Sequence, residues 1–156
     1  MLGNLSESEI EELLSAHTIG RVGCYDGERT YIVPISYIYD GKHIIGHSLE
    51  GMKIRMMRKN PGICFEVEDI RTPTNWKTVI VWGLYQELTD EMERYQAMKL
   101  FVDRMLKLKI STTAHPPELS AERVRPHQPG SVKPVIYRIL IEEKSGRFEK
   151  DHFNND

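Results

Sequence analysis

Cysteine is scarce in this chain. Only Cys24 and Cys64 occur, far apart and in no Cys-x-x-Cys pair, which excludes a disulfide framework and a paired-thiol motif. Both lie in apolar stretches with a strand pattern and read as reduced thiols packed like small hydrophobes. Long apolar runs are missing too: none approaches the ~20 residues of a membrane-spanning helix. The opening Met1-Leu2-Gly3-Asn4-Leu5-Ser6-Glu7 has neither a basic nor an apolar signal region. The expectation is a cytoplasmic protein with no membrane partner. Neither sign of charge dominates, since 21 Lys+Arg stand against 23 Asp+Glu for a net −2. That argues against nucleic acid, because phosphate backbones need a clear basic excess. The histidines His17, His43, His47, His115, His127 and His152 show no metal-ligand spacing, and no Ser-His-Asp or Cys-His arrangement is legible. No metal centre is expected.

What remains is an ordinary globular composition, 40% hydrophobic over 156 residues, enough for one self-sufficient core. Ser6 and Glu9 have capping-box spacing ahead of a helical stripe, Ile10, Leu13 and Leu14. The period then becomes alternating. Thr18–Tyr25, Arg29–Tyr39 and His43–Ser48 read as strands joined by Asp26-Gly27 and Asp40-Gly41 turns, an antiparallel meander. Gly51–Asn60 is briefly helical, with Ile54 and Met57 inward, and Asn60-Pro61-Gly62 stops it. Ile63, Phe65 and Val67 alternate with Cys64, Glu66 and Glu68, whose carboxylates read as a solvated strand face. After Arg71–Thr74 comes a long strand, Trp76–Leu88. It is apolar on both faces around Val79, Ile80, Val81 and Trp82, so its outer side needs a cover, best supplied by a second subunit.

Asp90 caps a helix running to about Lys109, with Tyr95, Met98, Val102 and Met105 on one face. Ser111–Pro134 holds five of the eight prolines and no apolar period; a loop that long is usually functional or mobile. The last strand is expected over Val135–Ile141. The whole reads as mainly β, a small barrel with helices outside: one domain over residues 1–147, then a polar tail over 148–156.

Three segments could carry chemistry. In Ile44-Ile45-Gly46-His47-Ser48-Leu49-Glu50-Gly51-Met52-Lys53 a strand hands over to a helix with a lysine in its first turn. Helix N-termini suit anions, and Arg55 and Arg58 stand nearby. Taken alone, the segment reads first as a plain strand-to-helix connection with a basic solvated face, because a glycine-lysine turn is a weak signal. In Tyr31-Ile32-Val33-Pro34-Ile35-Ser36-Tyr37 a mid-strand proline interrupts the ladder. That marks either an edge or bulge, or backbone groups left for the rim of a flat polar ring, with Ser36 as a further donor. The third segment opens on Trp76 and contains Thr78 and, inside the strand, Gly83.

Taken in this order, these segments resemble the pyridoxamine-phosphate-oxidase-like flavin-binding proteins, nearest the branch of the nitroimidazole-resistance proteins. The resemblance runs from the helix at Ser6 through Val135–Ile139 to Gly146-Arg147. It implies a six-stranded antiparallel Greek-key split barrel, a homodimer with FMN at the interface. It puts Tyr31, Ile32, Val33, Pro34, Ile35 and Ser36 along the flavin ring and ribityl chain. Gly46, His47 and Ser48 fall at the strand end nearing the phosphate, Gly51, Met52 and Lys53 on the phosphate turn, and Trp76 and Thr78 near the ring. True pyridoxamine-phosphate oxidases usually carry a basic residue at Met52, a lysine at Ser36 and an Arg-x-His motif near the end. Their absence here implies a different activity: a flavin-dependent oxidoreductase acting on a small molecule such as a nitroaromatic. The alternatives are a flavin carrier or redox sensor without turnover, and a haem-binding split barrel.

Overall fold

In the computed structural model, residues 1–109 and 133–151 are described. They form β1 Leu2–Asn4, α1 Glu7–Ala16, β2 Ile19–Tyr25, β3 Thr30–Tyr39, β4 His43–Ser48, α2 Met52–Lys59, β5 Gly62–Thr72, β6 Asn75–Glu87, α3 Glu91–Lys109 and β7 Val135–Glu149. The sheet order is β1-β7-β4-β3-β2-β5-β6, and β6 pairs in turn with β7. Everything but β1 therefore closes into a six-stranded antiparallel barrel. Strand β5 returns beside β2, the first strand of the β2-β3-β4 meander, which is the Greek-key connection. The mainly β split barrel implied by the resemblance is the fold found.

Local chemistry explains the elements. Ser6 caps α1 through the full capping box with Glu9. At both hairpins one aspartate does the turning. Asp26 Oδ1 accepts from the Glu28 and Arg29 amides, and Asp40 Oδ1 from those of Lys42 and His43. Gly27 and Gly41 take the positive φ, 102° and 92°, that follows. Alternation then sorts the strands into two cores. Tyr37, Phe65, Val79, Val81, Tyr137 and Ile139 fill the barrel, while Ile38, Ile45 and Ile136 face outward under Ala97 and Phe101 of α3. Fully burying a side chain such as Phe65 contributes ~1.5–3 kcal/mol.

Several expectations change. Strand β1 was not anticipated; it pairs Leu2–Asn4 with Arg147–Glu149. Strand β7 runs to Glu149 rather than Ile141. Phe148 and Glu149 therefore remain in the sheet beyond the boundary expected at 147, because β6 offers a ladder along that whole length. The buried face of α3 is Arg94, Ala97 and Phe101, whereas Tyr95 is 53% exposed. Arg94 turns inward, and its guanidinium donates to the Leu88 and Pro134 carbonyls, which offsets the cost of burying its charge. The Ser111–Pro134 loop, with His115 and His127, falls almost wholly outside the described residues. No helix among those described is long and apolar enough to cross a membrane.

Candidate functional site

Strand β3 pairs with β2 along Thr30–Ser36 but with β4 only over Tyr37–Tyr39. The barrel wall therefore opens along the first half of β3. The Tyr37 amide donates to the Thr18 carbonyl, so backbone groups of odd residues turn toward β2. Those of Ile32, Pro34 and Ser36 turn to the open side. Pro34 sits where its missing N–H costs no ladder bond. Ile35 is buried, Tyr31 and Val33 are half-buried, and Ile32, Pro34 and Ser36 are exposed. The predicted β3 residues thus line the split.

Facing it is the start of α2. Gly51 is the N-cap and supplies no side-chain bond, so the first amides of the helix remain available to an anion. Lys53 is half-buried, and its ammonium donates to Ser48 Oγ at 2.8 Å. Among the described residues it meets no carboxylate. Burial therefore pushes its pKa below the ordinary lysine value. The other cations differ. Arg58 is spoken for: it binds Glu87 at 2.7 Å and Glu50 at 2.6 Å, tying α2 and the turn before it to the end of β6. Arg58 therefore holds the turn in place instead of facing a ligand. Met52 and Arg55 lie on another side of α2, against the β2–β3 hairpin.

Two predicted residues have packing contacts of their own. A Cβ on Gly46 would come within 2.4 Å of the Tyr137 ring and hydroxyl, so that glycine makes room for a buried tyrosine. The His47 ring stands edge-on to Phe101, centroids 4.8 Å apart, beneath α3. The strand end that carries both residues does adjoin the split.

Trp76 and Thr78 lie elsewhere on this chain. The pairings align Pro34, Arg21, Glu66 and Ile80 across β3, β2, β5 and β6, so Thr78, on β6, lies three strand spacings or ~14 Å from β3. Thr78 Oγ1 donates to Glu66 Oε1 at 2.8 Å. Glu66 and Glu68 also hold Arg21, at 3.4 and 2.7 Å. These carboxylates thus belong to a charged cluster and not to a plain solvated face. The sequence held no signal for that cluster, since Arg21 meets the glutamates only through strand register. Trp76 donates through its indole to Glu149 at 3.0 Å. Around the cluster the outer sheet is apolar: Ile19 (65% exposed), Ile32 (67%), Trp82 (41%) and Leu84 (38%). The doubly apolar reading of β6 had pointed to this face.

A closed Greek-key barrel, split beside a helix start without a side-chain cap that carries a desolvated lysine, defines the split-barrel class of fold. The chain belongs to the pyridoxamine 5'-phosphate oxidase family, whose model matches residues 6–148. It is similar to a FAD-binding protein of Mesorhizobium loti, with 28% identity, 96% of this chain and 99% of that one covered, and a TM-score of 0.73. A candidate 5-nitroimidazole antibiotic resistance protein of Bacteroides thetaiotaomicron shares the fold, with 18% identity, 95% and 87% covered, and a TM-score of 0.69. An uncharacterised protein of Rhizobium meliloti strain 1021 is 34% identical over 84 residues, 54% of this chain and 56% of that protein. The match thus spans little more than half of that curated relative.

Proposed function

We propose that this chain is a homodimeric flavoprotein that binds the FMN moiety of a flavin at the split and serves as an oxidoreductase for a small molecule. The observation that carries the reading is Lys53. A half-buried ammonium with a hydroxyl but no carboxylate, beside helix amides without a cap, suits a dianionic phosphate. The exposed backbone of Ile32, Pro34 and Ser36 offers donors and acceptors to a ring with polar edges. Bound flavin supplies two-electron redox chemistry; the protein's part is to hold, orient and shield it. The free thiols Cys24 and Cys64 suit a reducing compartment such as the cytoplasm. The FAD-binding relative from Mesorhizobium loti supports the ligand class.

The same layout supports the dimer reading. A second copy laid on the bare sheet would cover Ile19, Ile32, Trp82 and Leu84, and would bring its own Trp76 and Thr78 toward the split of the first. Trp82→Glu is expected to halve the mass seen by sedimentation, from twice 18.1 kDa to the single chain, and to release the flavin. Retention of the dimer by this variant would remove the sheet face from the proposal.

The function is tested on purified protein. A yellow preparation whose released ligand has the mass of a flavin is expected. Anaerobic reduction by a reduced nicotinamide cofactor and reoxidation by a nitroaromatic then separates turnover from carriage. Flavin that no such donor reduces leaves a binding module. Colourless protein that ignores added flavin removes the function altogether.

A further inference from the structure

The barrel interior holds a polar atom that the chain itself leaves unpaired. Tyr137 has no exposed surface, and its hydroxyl is the one buried side-chain oxygen or nitrogen without a hydrogen-bond partner among the described residues. The other two buried tyrosines are served: Tyr37 Oη donates to the Leu14 carbonyl and Tyr85 Oη to Glu87. A buried hydroxyl without a partner costs stability, and phenylalanine would fill the same space without that cost. The hydroxyl therefore calls for a partner from outside the chain.

Its position says which. Tyr137 on β7 pairs with Gly46 on β4, and its Oη lies over that glycine, 2.4 Å from where a Cβ would stand. Ile44 faces the barrel interior, as the missing Cβ of Gly46 does, while Ile45 and His47 face α3. Alternation therefore makes Ser48 the next inward residue after Gly46, two residues or ~7 Å along the strand. One water bridges a gap of that order, with ~2.8 Å to an oxygen on each side. Ser48 Oγ donates to the Leu49 carbonyl and accepts from Lys53 Nζ, both at 2.8 Å, so one of its lone pairs remains. The half-buried Lys53 ammonium has further donors beyond the one that Ser48 takes. A water there meets Tyr137, Ser48 and Lys53, within the two to four polar partners that a buried water needs.

We propose that a buried water sits between the Tyr137 hydroxyl and Ser48 Oγ, and that through it Tyr137 is a positioning residue for the Lys53 ammonium. The water site rests on the barrel alone; its consequence for binding rests on the phosphate reading above. With one N–H on Ser48 and one on the water, Lys53 keeps its third for the phosphate and is held against swinging into solvent.

The first test needs no flavin. Tyr137→Phe, Ser48→Ala and the double variant are unfolded in urea as ligand-free, full-length protein. Loss of a bonded hydroxyl is expected to lower the folding equilibrium constant of Tyr137→Phe about threefold to tenfold. The two changes are expected to couple by about threefold or more, although no hydrogen bond joins the two side chains directly. Equal or greater stability of Tyr137→Phe, or additive losses, overturns the water. The second test titrates FMN and riboflavin. Tyr137→Phe is expected to weaken FMN about threefold to tenfold, to leave riboflavin within about twofold, and to add nothing further in a Lys53→Gln background. Unchanged FMN affinity, equal losses for both ligands, or an undiminished loss in that background overturns the positioning role. A parent that binds neither ligand brings down the flavin reading and the positioning role with it, while the urea cycle decides the water.

Discussion

Lys53→Glu is expected to weaken FMN about a hundredfold or more while changing riboflavin by less than about threefold. A charge-assisted hydrogen bond contributes ~1.5–3 kcal/mol, and a carboxylate at the same place adds repulsion from the phosphate, which carries −1.5 to −2 charges near neutral pH. Each ~1.4 kcal/mol is tenfold, so two decades is a lower figure. Riboflavin has the same ring and ribityl chain but no phosphate, and serves as the internal control. Parallel losses for both ligands would place the phosphate away from α2. The pH dependence carries a sign as well. Burial depresses the Lys53 pKa below 10.5 in the ligand-free protein, so between that depressed value and 10.5 the unfolded chain holds more protons. Ligand-free stability therefore rises with pH across that window. A bound phosphate favours the ammonium and reverses the shift. FMN affinity should accordingly fall as pH rises through the pKa of Lys53, a slope that Lys53→Gln removes.

Gly46→Ala is expected to destabilise the fold by ~2–4 kcal/mol, the upper range for forcing atoms into a packed core. The added Cβ would fall 2.4 Å from Cζ and Oη of Tyr137, a side chain with no exposed surface. That ring has little room to shift, because Tyr85 packs against it, tilted by 38° with centroids 5.4 Å apart. At ~2–4 °C per kcal/mol for a domain of this size, the midpoint of thermal unfolding should drop by ~5–15 °C. The measurement also discriminates between two roles for this glycine. A variant with parental stability but impaired flavin binding would return Gly46 to the ligand's surroundings; the packing argument expects the opposite order of effects.

Gly46 illustrates how far the chain alone could be read. Its place at the end of a strand before a basic helix was legible, and so was the proximity of that strand end to the split. What its missing side chain accommodates was not, because Tyr137 lies 91 residues along the chain (137 − 46) and reaches it only when β4 and β7 pair. The same holds for Arg21, which could not be grouped with Glu66, Glu68 and Thr78 before the register of β2, β5 and β6 was known. For α3 the helix itself was legible, but its orientation was not. The apolar stripe through Tyr95 and Met98 competed with an inward arginine, and two carbonyls at Leu88 and Pro134 decided in favour of Arg94. For β7 the expected strand ends at Ile141, before the polar run Glu142–Arg147. It is a strand because β6 supplies a partner ladder and its charges point to solvent or, in Lys144, to Glu11 of α1.

Local chemistry alone settled the Asp-Gly turns, the capping box of α1, the alternation of β2 to β6 and the basic first turn of α2, since each depends on neighbours within a few residues. Closure of the barrel settled the rest. It determined which strands lie side by side and where the wall parts between β3 and β4. It also buried Lys53 while leaving Arg55 in the open, and it set Thr78 three strands from Ser36. These are consequences of long-range pairing, and no short window of residues contains the hydrogen bonds that enforce them.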